Sequence, residues 1–227
     1  MRSFHDVFIE AADRPGVSAT SRRSVFALAA AAPLALGLEA ALGKGNASKK
    51  RQKRQRKQQR QKQQDIAILN YALTLEHLEY AFYRDALGTN GFVASDFRGY
   101  VDPNLHARLL DIRNHEKTHV DALTTTIQGL GGDPVEELRY NFGYTSPQSF
   151  LKVAQALENT GVSAYDGAIA DITAPELQTT GATIATVEAR HASYLNLING
   201  TNPFPAAFDT PLEQDEVLAI AGPFIVP

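Results

Sequence analysis

The chain has 227 residues and no cysteine, and 44% of its residues are apolar. The lack of cysteine excludes disulfides and thiolate metal sites, whereas the apolar fraction is that of an ordinary globular protein. The formal charge of −3 conceals an asymmetry, because residues 49–64 carry nine Lys or Arg and no acid. From Asp65 onward, 21 acidic residues face 8 basic ones, a net charge of −13 that suits cations better than nucleic acid.

Residues 1–47 resemble a twin-arginine export signal with its flank. The pair Arg22-Arg23 precedes a modestly apolar, Ala-rich run, and small residues at 41–43 or 45–47 offer cleavage points. We therefore expect the twin-arginine export machinery as a partner and a periplasmic or extracellular location. Membrane tethering is the expectation if the signal stays uncleaved, and an amphiphilic tail is the alternative interpretation.

Residues 48–64 form a basic, Gln-rich segment without large apolar side chains. Such a composition cannot bury a core, so it predicts a solvated linker or arm. Basic runs can also contact anionic lipid or nucleic acid, but no aromatic residue is interleaved for stacking on bases. We therefore favour a soluble spacer and expect no specific nucleic-acid partner.

Apolar residues recur at helical spacing through the rest of the chain, which predicts an all-α fold. We expect a four-helix bundle over residues 65–200, and residues 133–146 are long enough to return along it as a long crossover. Residues 201–227 are expected to form an extension whose short helix opens at Thr210 in a capping box with Glu213. Caps, prolines and glycines place the four long helices at Asp65–Leu87, Asp102–Gly131, Ser146–Ile172 and Pro175–Gly200.

The pattern Glu-x-x-His occurs in the second and fourth predicted helices. A spacing of three puts carboxylate and imidazole on one helix face, and both pairs lie on the apolar stripe that faces the core. The stripes of the first and third helices each carry one carboxylate. Inward Glu and His from four helices are what a two-metal carboxylate site requires. The candidate metal ligands are Glu76, Glu116, His119, Glu158, Glu188 and His191.

Burying four carboxylates without partners would cost roughly several kcal/mol each, and a pair of divalent cations would neutralise them. The alternative is an inactive site held by salt bridges, with Arg113 and Arg190 as nearby partners. Glu79 lies beside the stripe and is expected to be an outer or solvent-facing carboxylate. His115 is expected to be a surface histidine or a core histidine with its hydrogen bonds satisfied.

Three segments together with the ligand pattern resemble the ferritin-like domain family of the ferritin-like di-iron superfamily: ILNYALTLEHLEYAFY, TIATVEARH and FDTPLEQDEVLAIAGPFI. The resemblance extends over about residues 65–222 and favours the branch that includes desiccation-related proteins. It implies a ferritin-like four-helix bundle in which each metal has one terminal Glu and one His, and two Glu bridge the metals. The implied roles are terminal for Glu76 and Glu158, bridging for Glu116 and Glu188, and completion of one ion each for His119 and His191.

Tyr83 lies seven residues after Glu76, where bacterioferritin-like members of the superfamily also have Tyr, and it is the candidate catalytic residue. A core aromatic whose hydroxyl finds a partner is the alternative role. The chain departs from the family at the residue before each bridging Glu. Some members place an acid there to orient the His ligands, whereas this chain has His115 and Val187.

Carboxylate-rich ligation with two imidazoles suits iron or manganese better than copper or structural zinc. We therefore expect two Fe ions, with Mn as the second option, and an exported protein that oxidises Fe(II) with oxygen or peroxide. The first alternative is a structural, desiccation- or stress-protective bundle whose metal is structural or vestigial. The second is a di-manganese catalase-like activity. A homodimer remains an open option.

Overall fold

The computed structural model describes residues 43–226, with side chains from Ser48 onward. The predicted twin-arginine motif and the apolar run after it, within residues 1–42, lie outside the described residues. The described residues belong to two units, one ending at Arg60 and one starting at Gln61. Among the described residues, no helix combines the length and the apolarity needed to cross a membrane.

The first helix, α1, spans Gly43–Leu87, so the prediction that it begins at Asp65 is wrong. Residues 48–60 are exposed, as expected of a solvated segment, but they are helical. Lys, Arg and Gln are good helix formers, which explains why this segment continues the helix. Asp65 is buried inside the helix and accepts hydrogen bonds from the backbone N–H (2.6 Å) and hydroxyl (2.9 Å) of Thr173.

Three further long helices complete the bundle, and a short one follows in the C-terminal extension. The predicted ends of these long helices lie within three residues of the observed ones, as expected where helix ends fray. Ser146 caps the third long helix as predicted, because its hydroxyl accepts a hydrogen bond from the backbone N–H of Ser149 at 3.2 Å. The remaining helices are α2 Leu105–Gly129, α3 Pro147–Ile169, α4 Pro175–Ile198 and α5 Gln214–Ala221, with short 3₁₀ turns at Ala94–Phe97 and Gly222–Phe224.

The connection between α2 and α3 runs back along α1, which confirms the long crossover. Its start is fixed by Asn70, which donates to the carbonyl of Asp133 (3.1 Å) and accepts from the backbone N–H of Val135 (2.8 Å). Further along, Arg84 pairs with Glu137 at 2.8 Å. From residue 70 to residue 84 a helix advances about 21 Å, so the connection follows most of the bundle's length.

An aromatic cluster joins the end of α1 to the start of α3. The ring of Phe82 stacks on that of Phe150 with 4.6 Å between centroids, and Tyr83, Phe142 and Tyr144 meet Phe82 edge-on. Such aromatic contacts add about 0.5–1.5 kcal/mol per pair beyond the burial of their area. The cluster fixes the register of α1 against α3, and both helices carry candidate ligands.

The C-terminal extension packs against α3. Its helix begins at Gln214 and not at the predicted Thr210. A Cβ atom on Gly167 would lie 2.1 Å from the carbonyl oxygen of Leu212, so this close approach requires glycine. Val217 is fully buried, and beyond this helix the strand β2, Ile225–Val226, pairs antiparallel with β1, Arg139–Tyr140, in the crossover.

Candidate metal centre

All six predicted ligands converge in the interior of the bundle. The four carboxylates are 0% exposed, and the two imidazoles are 8% and 5% exposed. The side chains form two overlapping groups of four, and in each group one ligand atom from every member lies within 4.8 Å of the others. The two groups share Glu116 and Glu188, the residues that the family resemblance implies as bridges.

The first group is centred on Nδ1 of His119. This nitrogen lies 3.1 Å from each of three carboxylate oxygens, which belong to Glu76, Glu116 and Glu188. Oxygen and nitrogen ligands about 2.1 Å from one ion lie about 3 Å from each other when they are at right angles. The spacing of this group therefore matches that of ligands around a common cation.

The second group repeats the arrangement around Nδ1 of His191. This nitrogen lies 3.1 Å from oxygens of Glu116 and Glu158 and 3.8 Å from an oxygen of Glu188. Each of the two shared residues thus turns one oxygen toward each histidine. Such an arrangement can hold two ions with both shared carboxylates between them.

Three carboxylate oxygens of the two shared residues have no hydrogen-bond partner although they are fully buried. They are Oε1 of Glu116 and both oxygens of Glu188. A buried carboxylate oxygen without a partner is costly, and proteins normally pair such groups or use them to coordinate metals. The unpartnered atoms belong to the two residues that would bridge two ions, so the donor set fits a pair of divalent cations.

Each of the other two carboxylates is held by a tyrosine. The hydroxyl of Tyr83 donates to Oε1 of Glu158 at 2.6 Å, and the hydroxyl of Tyr165 donates to Oε1 of Glu76. Each carboxylate keeps its second oxygen toward a histidine. Tyr83, the candidate catalytic residue, therefore touches a candidate ligand, and burial followed by the charge of Glu158 raises its pKa well above the usual value.

Burial and neighbouring charges push the ionisation of the cluster in different directions. Burial raises the pKa of Glu76 to about 8, with His119 partly offsetting it, and burial also raises the pKa of Glu158. For Glu188, burial opposes ionisation, but the nearby imidazoles of both histidines outweigh it and lower the pKa. Burial lowers the pKa of His119, yet the surrounding carboxylates outweigh burial and raise it well above the usual value. The metal-free cluster therefore retains protons that cations would displace.

Glu79 is a seventh polar residue at the centre, and the prediction that it faces solvent is wrong. Its side chain is 4% exposed. Burial, followed by the charges of Glu188 and Glu158, raises its pKa well above the usual value. The signal that could have found it is its spacing, because Glu79 follows Glu76 by the same three residues that separate Glu and His in the two motifs.

His115 contacts the centre from outside. Its Nδ1 lies 2.9 Å from Nε2 of His191, and the two rings stack with 5.1 Å between centroids and 9° between planes. Burial and the neighbouring His191 lower the pKa of His115. Arginine does not hold the centre as the salt-bridge alternative expected, since within residues 48–226 neither Arg113 nor Arg190 forms an ion pair with the cluster. The pairs within it join His119 and His191 to the carboxylates.

Comparison with known proteins agrees with this fold. The profile of a family described as ferritin-like domain matches residues 64–201. Protein rds1 of Schizosaccharomyces pombe is 24% identical over 162 residues, which cover 71% of this chain and 39% of the relative. The chain thus spans about two fifths of that relative's length. The crystal structure of a conserved hypothetical protein from Mycobacterium tuberculosis shares the fold, with a TM-score of 0.51 and 20% identity over 65% of this chain and 99% of that one.

Proposed function

The chain belongs to the ferritin-like domain family, and on that premise we propose that it binds two iron ions and oxidises Fe(II) with oxygen or peroxide. The observation that carries the proposal is the set of unpartnered oxygens on Glu116 and Glu188, each flanked by a histidine. A buried group of four carboxylates and two imidazoles needs compensating positive charge, and two divalent ions supply it.

The side chains have distinct roles in this proposal. Glu116 and Glu188 would hold both ions, whereas Glu76 with His119 and Glu158 with His191 would each complete the ligands of one. Two Fe(II) ions held by these residues would supply one electron each to a two-electron oxidant. Tyrosine hydroxyls orient the two terminal carboxylates, and the surrounding core excludes bulk water. Carboxylate and imidazole donors without thiolate favour iron or manganese.

The test is oxidation of Fe(II) by the full chain. Metal-free protein receives two equivalents of Fe(II) without oxygen, and oxygen or one equivalent of peroxide is then added while near-ultraviolet absorption of Fe(III) is followed. We expect the protein to oxidise both equivalents faster than buffer does. Glu116→Gln and Glu188→Gln should each slow the reaction by about tenfold or more, because each removes one charge from the shared ligands.

Glu136→Gln is the matched control, since Glu136 is exposed and the change removes the same charge from the bundle surface. The control should retain the wild-type rate. Oxidation by the wild type no faster than in buffer would contradict the proposed activity. Equal rates in Glu116→Gln and in the control would contradict the assigned site.

A structural metal centre is the second candidate function. The observation that favours it is the 0% exposure of all four ligand carboxylates, which leaves a closed centre. In that case the protein binds two ions and is stabilised by them but accelerates no oxidation in the same experiment. Under this candidate function, we propose that the protein is a structural, stress-protective bundle of the branch that includes desiccation-related proteins. A di-manganese catalase-like activity would appear as disproportionation of peroxide after loading with Mn(II).

We also propose that the chain is exported to the periplasm or beyond. The support is sequence alone, namely Arg22-Arg23 and the Ala-rich run that follows. Replacing both arginines with lysine should keep the charge but abolish recognition by the twin-arginine machinery. Fractionation of cells that express either form measures this, and equal export of both forms would contradict the proposed route.

A further inference from the structure

The side chain of Glu79 occupies a distinctive position among the buried carboxylates of the centre. It lies on α1 one turn after Glu76 and is 4% exposed, whereas the four candidate ligand carboxylates are 0% exposed. Within residues 48–226 no side-chain hydrogen bond satisfies its carboxylate, although burial is nearly complete. An unpartnered carboxylate that remains in contact with solvent is suited to bind a cation for a short time.

Gly161 on α3 has no side chain, and this leaves room for the carboxylate of Glu79 beside the centre. A Cβ atom placed on Gly161 would lie 3.0 Å from Oε1 of Glu79 and 3.7 Å from Oε2 of Glu188. The two carboxylates therefore meet at the same glycine, and no side chain of residue 161 separates them. A cation held by Glu79 would be adjacent to a bridging carboxylate.

A small recess in the surface leads to Glu79. Its volume is about 10 Å³, which is close to what one water molecule needs. Glu79 is the one ionisable residue in its lining, so a cation that enters the recess finds a single carboxyl group, which can exchange its proton for the cation. The other lining residues are Leu75, Leu78, Leu157, Thr160, Gly161, Ile220 and Ala221.

We propose that Glu79 receives divalent cations at this recess and passes them to the six-residue cluster, an inference that rests on the proposed two-metal function. The other partly exposed members of the centre are His119 and His191, at 8% and 5%. Their imidazoles carry no negative charge and are a poorer first contact for a cation. A carboxyl group that releases its proton to bind a cation supplies a negative charge that an imidazole cannot supply.

The test measures the rate and the extent of cation uptake separately. Metal-free full chain is mixed with Co(II) in a stopped-flow instrument, and the visible absorption of bound Co(II) is followed. Glu79→Gln keeps the shape of the side chain and removes its ability to exchange a proton for a cation. We expect uptake to slow by about tenfold or more while the endpoint stays at two ions per chain. Gly161→Ala, whose Cβ would press on Glu79, should also slow uptake.

The exposed change Glu136→Gln controls for the loss of one charge and should leave the rate unaltered. Circular dichroism checks that each variant is folded. Uptake by Glu79→Gln at the wild-type rate would overturn the proposal, and so would an endpoint below two ions, because Glu79 would then be a permanent ligand. If the wild type itself binds no Co(II), the two-metal function fails, which this experiment distinguishes from failure of Glu79 alone.

Discussion

At the scale of single residues, the two halves of the centre are not equivalent. His191 has a partner on its outer nitrogen, since Nε2 lies 2.9 Å from Nδ1 of His115. If Nδ1 of His191 binds a metal, Nε2 carries the proton and donates it to His115. The equivalent position before the other bridging carboxylate is Val187, whose side chain cannot accept a hydrogen bond from His119. Within the part of the chain whose side chains are described, the imidazole of His191 is thus oriented by a hydrogen bond that the imidazole of His119 lacks.

This difference predicts unequal effects on the two ions. His115→Ala should weaken the binding of one ion by about 10–100-fold and leave the other unchanged, because partners of ligating histidines contribute on that scale. His115→Asp, which restores an acceptor, should bind both ions nearly as tightly as the wild type. Titration calorimetry with Co(II) measures the two affinities. Equal weakening of both ions, or no change in either, would contradict the role assigned to His115.

Individual residues also show what could be predicted without the structure. The six candidate ligands were identifiable because helical spacing and an apolar stripe locate a side chain on a face without any tertiary information. The partners of Tyr83 and Tyr165 were not, since each hydroxyl reaches a carboxylate on a different helix. His115 was assigned an ordinary role because its contact with His191 crosses from α2 to α4.

At the scale of elements, the local sequence patterns predicted the presence of the helices better than the residues at which they begin and end. Ser146 caps α3 at the predicted residue because a cap depends only on its own first turn. The start of α1 was misplaced because Asp65 has the chemistry of a cap, yet its carboxylate is taken by Thr173, which follows α3. That pairing joins residues 108 positions apart, so the sequence around Asp65 does not reveal it.

The path of the crossover between α2 and α3 could be predicted from the number of residues in it. Fourteen residues between the second and third predicted helices were enough to span the bundle, and residues 133–137 do run along α1. The short pairing of β1 with β2 at the end of this path could not be foreseen, because each strand has two residues. The crossover makes α2 and α3 parallel and lets all four helices present their carboxylates at one level of the bundle.

At the scale of the whole molecule, the centre makes the stability of the metal-free fold depend on pH. Burial raises the pKa of Glu76 to about 8, and it raises the pKa of Glu79 and Glu158 as well. The carboxylates also raise the pKa of His119 and His191 against the effect of burial. In all five the folded state binds protons more tightly than the unfolded chain does. Among the seven buried residues of the centre, Glu116 and Glu188 are the two whose pKa values are lowered.

The sign of the pH dependence follows from these shifts. Groups with raised pKa stabilise the fold below their unfolded pKa, and this contribution is lost as the pH rises through the folded value. For Glu76 the window runs from 4.5 to about 8, and the histidines extend it upward from 6.5. Between about pH 5.5 and pH 8.5 the metal-free protein should therefore lose stability. Each pKa unit corresponds to about 1.4 kcal/mol, so the loss for Glu76 alone is on the order of a few kcal/mol.

Bound cations should reverse this trend, because they replace the protons and bind more tightly as the ligands deprotonate. We expect the thermal midpoint of chelator-treated protein to fall by roughly 10 °C from about pH 5.5 to pH 8.5, while the stabilisation by Mn(II) grows over the same range. Scanning calorimetry with chelator and with Mn(II) measures both effects. Glu76→Gln, which is neutral at every pH, should make the metal-free curve flatter. A midpoint of the metal-free protein that is constant or rises with pH would show that the cluster does not hold the protons assigned to it.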